Sequence, residues 1–188
     1  METHLQHYLA GAPGVHHITA LHWQVLVLAL LIGAVAGMRS LTAPAVLSWG
    51  AALHWLPVAD TWAHFMAHPI TVAVLTGLAL AELFHDKLPF VKDRIWLPHY
   101  VRRLILGAFS GAVLGAGWHW TWTALGAGLI GAAIGTVIAH RLRLWLGSRD
   151  GDLPIAVGED IVAVLGAFAI VSVAYQLWGA YGCCGIGH

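Results

Sequence analysis

Charge is what this chain has least of. Nine Lys and Arg and nine Asp and Glu are spread over 188 residues, against 59% hydrophobic residues. Soluble domains carry about 25% charged residues. A water-exposed chain this apolar would present large adhesive patches, and lipid is the solvent that removes the conflict. The formal net charge is zero with His neutral, so no basic field singles out a nucleic-acid partner, and none is expected.

Cysteine is nearly absent as well. Cys183 and Cys184 are adjacent, which excludes a disulfide framework. The N-terminus lacks the Lys and Arg that open a cleavable signal peptide, so the first apolar segment is expected to stay in the protein. The 22 glycines follow no Gly-X-Y period, which excludes collagen. Strict apolar-polar alternation is missing, which excludes a membrane barrel. There is no Gly-x-Ser-x-Gly, no His-Glu-x-x-His and no phosphate loop, so no standard catalytic motif assigns an enzyme.

What is present is a series of apolar runs: about 23–38, 41–56, 69–84, 104–117, 123–139 and 155–178. A span needs about 20 apolar residues, and helices are the open-chain structures that satisfy their own backbone in lipid. The pattern predicts an all-α polytopic bundle of five to six spans or half-spans, over a single domain at 23–178. A His-containing segment, 1–22, precedes it, and a Cys/His-containing tail, 179–188, follows. The second run is interrupted by Pro44, and both it and the fourth are short for a full span. One long first helix bent near 38–44 would give five spans; a break there gives six.

The cations favour the break. With six segments, Arg39, Lys87, Lys92, Arg94, Arg102, Arg103, Arg141, Arg143 and Arg149 all fall on one face. The positive-inside rule makes that face cytoplasmic and puts both termini outside. With five, Arg39 lies inside a bent helix, where an Arg costs about 2.5–3.5 kcal/mol on insertion scales. The six-segment arrangement also gathers Trp55, Trp62, Trp118, Trp120, Trp122 and Trp178 at the outer interface.

Small residues recur every four positions at Gly107, Gly111 and Gly115, and at Ala127, Gly131 and Gly135. This spacing suits close helix packing, or a groove for permeation or lipid. The tetrapeptide Leu31-Ile32-Gly33-Ala34 recurs at 129–132, a repeat that composition alone explains.

Three polar constellations stand out. Glu82 and Asp86 share a helix face at the end of the third run, followed by Lys87 and Pro89. An acid at membrane depth must pair, meet water or take up a proton; the alternative is an interfacial cluster with Lys87 neutralising Asp86. Glu159 and Asp160 lie too far into the sixth run for the helix dipole to account for them, whereas Asp152 reads as a helix start. Arg39, with Ser40 and Thr42, stands between the first two runs, placed to snorkel to headgroups or to pair with Glu82 or Glu159. Arg102 and Arg103 are further counter-charges, one of them a headgroup anchor.

Arg39-Ser40-x-Thr42-Ala43-Pro44, Glu82-x-x-x-Asp86-Lys87-Leu88-Pro89 and Ala156-x-x-Glu159-Asp160 resemble, in order and spacing, a family of small multi-pass bacterial membrane proteins. That family is the domain of unknown function numbered four-one-two-six. The resemblance runs over about 30–170 and implies the topology, a shared polar site and a bacterial inner-membrane location. It names no substrate.

These residues lead to an expectation of a transporter-like protein. Its ion- or substrate-binding site comprises Arg39, Ser40, Thr42, Glu82, Asp86, Lys87, Arg103, Glu159 and Asp160, with Glu82 or Glu159 carrying a proton or cation. The expected partners are membrane lipid, a small ion or anionic solute, and a second copy of the chain. Two alternatives stand beside it: a Mg²⁺-dependent enzyme on a lipid phosphate, or a structural subunit whose polar cluster locks helices. No cofactor is specified. Cys183, Cys184 and His188 offer soft-metal ligands, with His16 and His17, but read equally as a frayed tail. Asp60, His64 and His68 form another possible metal set if that stretch is helical.

Overall fold

The computed structural model describes residues 13–85, 96–146 and 152–182. Side-chain environments are described over 20–84, 100–142 and 158–180. Asp86, Lys87, Cys183, Cys184 and His188, singled out above, lie outside these ranges, as do the side chains of His16 and His17.

The described residues form six α-helices and one 3₁₀ turn, and no strand. They are α1 (Pro13–Met38), α2 (Thr42–Ala52), the 3₁₀ helix Trp62–Ala67, α3 (Pro69–His85), α4 (Trp96–Ala116), α5 (Thr121–Leu146) and α6 (Asp152–Gly182). Ala20–Met38, Thr121–Leu142 and Gly158–Ala180 are each long and apolar enough to cross a bilayer, and Pro69–Phe84 is a shorter apolar helix. The fold is an all-α helical bundle of a membrane protein.

Several boundaries differ from the sequence expectation. Helix α1 begins at Pro13, where a proline at the first helical position has no N–H to waste. Helix α4 begins at Trp96, so Arg102 and Arg103 lie inside it. Pro44 does not interrupt the second run: it occupies the first turn of α2, which tolerates it. The interruption comes later. His54, at φ 60°, caps α2 in the left-handed region, and the chain stays irregular until Trp62. Helix α2 therefore has 11 residues, about 16 Å at 1.5 Å per residue, roughly half a bilayer core.

Side-chain contacts fix the relative directions of the helices. A Cβ on Gly33 would overlap the Gly128 carbonyl, and one on Gly37 the Ala132 carbonyl, so α1 and α5 run parallel. The contact is reciprocal, because a Cβ on Gly131 would overlap the Leu30 carbonyl and one on Gly135 the Ala34 carbonyl. The two Leu-Ile-Gly-Ala tetrapeptides thus face each other across a local two-fold axis. Helix α4 packs antiparallel on α5, Gly107 beside Ala132 and Gly115 beside Ala124. Helix α6 lies antiparallel to α1, with Asp160 at Arg39 and Gly166 facing Val35. Helix α3 lies antiparallel to α2, with Glu82 at Ser40 and Thr76 at Trp49.

Successive helices therefore alternate in direction. One end of the bundle holds the end of α1 and the starts of α2, α4 and α6. The opposite end holds aromatic pairs: Trp118 against Trp178, Trp55 against Tyr175, and His22 against Trp120. Between them lies an apolar core that includes Ile32, Leu47, Met66, Leu114 and Val171.

Candidate functional site: a charged break between α1 and α2

The chain leaves its helix at Met38 and re-enters one at Thr42. Such a break strands carbonyls at the end of α1 and N–H groups at the start of α2. Arg39 is 1% exposed and Ser40 is fully buried, so water does not satisfy the break, and buried backbone groups need other partners.

Other helices supply them. Arg103 of α4 donates from Nη1 to the Gly37 carbonyl at 2.6 Å. A cation there matches the negative end of the α1 dipole. The Thr136 hydroxyl of α5 stands 3.1 Å from the same oxygen and 2.8 Å from its own Ala132 carbonyl.

Glu82 of α3 serves the start of α2. The Leu41 N–H donates to its Oε2 at 2.9 Å, and the Ser40 hydroxyl donates to its Oε1. Leu41 is the N-cap of α2 and its own side chain makes no capping bond, so the carboxylate caps the helix from outside. Arg102 of α4 adds a bond from Nη2 to Oε1 at 3.2 Å.

Arg39 itself turns towards α6. Its Nη2 lies 2.5 Å from Asp160 Oδ1. Glu159 is buried beside it in sequence, and both acids lie two turns into α6, beyond the reach of that helix's dipole. Thr42 is buried in the first turn of α2.

The structure thus brings Arg39, Ser40, Glu82, Arg103 and Asp160 together around one turn, with Thr42 just beyond it. It assigns the pairs differently from the sequence reading. The cation on Glu82 is Arg102, a further candidate in the sequence, and Asp160 meets Arg39. Helical phase decides between adjacent residues, and it is invisible before helix rotations are known. Thr136 was missed: a lone hydroxyl in an apolar run gives no signal that it will lie against a helix end. Of the two arginines, Arg103 is buried and Arg102 is 43% exposed in its side chain.

Asp60, His64 and His68 do not assemble. Among the described residues no three His, Cys, Asp or Glu side chains converge as metal ligands. Residues 62–67 form a 3₁₀ turn, and His68 follows it with extended backbone. His64 Nδ1 turns to the Thr61 carbonyl, and His68 Nδ1 accepts from the Ile70 N–H.

A family model matches residues 26–181. The chain belongs to the family described as Domain of unknown function (DUF4126). The match takes in every described helix except the start of α1 and the last residue of α6. No curated protein and no solved structure matches the chain.

Proposed function

We propose that this DUF4126 protein is a transporter-like membrane protein, and that the α1–α2 break is its site for a proton and a small anionic solute. The observation that supports this reading is the Glu82 carboxylate at the start of α2, bonded to Arg102, at the same break where Arg103 meets the Gly37 carbonyl and Arg39 meets Asp160. Transporters commonly place the N-terminus of a broken helix against an anionic group of the substrate. Here Glu82 occupies that position. A neutral Glu82 would hold the Ser40 and Leu41 donors less strongly and leave guanidinium charge uncompensated, a state that attracts an anion. Buried ionisable groups in a membrane bundle are costly and are characteristic of ion paths.

The tightly packed glycines of α1, α4 and α5 would form the fixed frame, with α2, α3 and α6 around the site. The positive-inside rule puts the Arg39 end at the cytoplasm and suits a bacterial inner membrane. Proteoliposomes holding a pH-sensitive dye test the reading, with gradients of chloride, phosphate or acetate. Anion-dependent proton flux should be present in the wild type and lost in Glu82→Gln and Asp160→Asn. Equal flux in folded variants would refute it.

A second reading has its own observation. Glu82 and Arg103 together cap both helix ends of the break, which is what a purely structural lock requires. In that case the protein is an assembly or scaffold subunit, and neutral replacements that keep the break intact leave its cellular role unchanged. The Mg²⁺-enzyme alternative gains no such observation: among the described residues no three His, Cys, Asp or Glu side chains converge as metal ligands.

A further inference from the structure

Away from the charged break, an open groove of about 780 Å³ runs alongside the close α4–α5 contact, on its outer side. Its walls are Ile105, Ala108 and Ala112 of α4 and Leu125 and Leu129 of α5, and its lining is almost wholly apolar. The alanines make it concave: each leaves the space that a larger neighbour such as Phe109 would fill.

The two ends of the groove differ in chemistry. Trp62 closes the far end, its indole N–H donating to Thr121 Oγ1 at 3.4 Å, with Trp122 beside it, 83% exposed. At the near end Val101 lines the groove and Arg102 follows it, on the stripe of α4 that carries Ile105 and Phe109. Arg102 spends one nitrogen on Glu82 and remains 43% exposed. Between Val101 and Ala112 the groove runs about 16 Å along α4, close to the roughly 15 Å that the chains of one leaflet occupy.

We infer that this groove is a binding site for one anionic phospholipid, with an acyl chain along α4 and α5 and the phosphate on Arg102. A zwitterionic lipid fills the apolar part equally well, so headgroup charge is the discriminating feature. An Arg guanidinium matches phosphate geometry with paired N–H donors. The inference does not depend on transport: it needs only the groove and the exposed Arg102 next to it.

Native mass spectrometry tests it on the full chain, delipidated in detergent and offered phosphatidylglycerol or phosphatidylcholine of the same chain length. The wild type should retain one phosphatidylglycerol in preference to phosphatidylcholine by about five-fold, the scale set by one basic side chain at an anionic surface. Arg102→Gln should remove the preference while some lipid still binds. Ala108→Phe, which fills the groove, should lose both lipids at unchanged thermal stability. Should Ala108→Phe unfold, Arg102→Gln alone still decides the question. Equal retention of the two lipids by the wild type would overturn the inference, as would unchanged selectivity in Arg102→Gln. A lipid-free two-chain species protected at the groove would overturn it in favour of a second copy of the chain.

Discussion

Arg39 and Asp160, 121 positions apart in the chain, meet at 2.5 Å where the end of α1 touches α6. Both are buried. Removing one member of such a pair strands the other charge, at about 3–5 kcal/mol. Asp160→Asn and Arg39→Gln are each expected to lower the unfolding midpoint in detergent by that order. Arg39→Met with Asp160→Leu should recover most of the loss, since two apolar groups leave no charge behind. Thermal unfolding followed by loss of the monodisperse peak provides the measurement.

The Glu82 cap makes a local prediction. Glu82→Ala removes the acceptor for Leu41 N–H and Ser40, and is expected to cost about 1–2 kcal/mol at the start of α2. Hydrogen exchange should show faster protection loss at residues 41–43 while α5 is unaffected. Glu82→Gln keeps one acceptor oxygen and should fall between the wild type and Glu82→Ala.

Much of the fold was legible in the sequence because lipid imposes one rule, backbone satisfaction inside long apolar runs, and that rule leaves a visible trace. The Arg39-Ser40 break was legible for a related reason: a charge between two apolar runs has few tolerable positions. The contacts of Asp160 with Arg39 and of Arg102 with Glu82 were not. Adjacent residues on a helix point about 100° apart, so which one faces a given neighbour is set by how α6 packs on α1 and α4 on α3. The shortness of α2 was hidden too, because Leu53, Trp55 and Leu56 are as apolar as the helix they follow, and only the left-handed turn at His54 ends it.

The repeated tetrapeptide gains meaning only in three dimensions. Gly131→Ala is expected to destabilise the bundle by about 1–3 kcal/mol, because the added methyl overlaps a backbone carbonyl that cannot rotate away. Gly77→Ala is the control, since nothing lies within 4 Å of its added methyl. It should be neutral or stabilising by up to about 1 kcal/mol. Unfolding midpoints of the two variants in one detergent make the comparison.

The decisive comparison sets the working site against the lock. Arg39→Met with Asp160→Leu should preserve the fold while erasing the buried Arg39–Asp160 pair. Proton flux in proteoliposomes under an imposed chloride, phosphate or acetate gradient is the measurement. The account predicts that this folded double variant conducts no more than empty vesicles while the wild type conducts. Wild-type flux in the double variant would contradict it and leave the charges as fasteners of the α1–α2 turn.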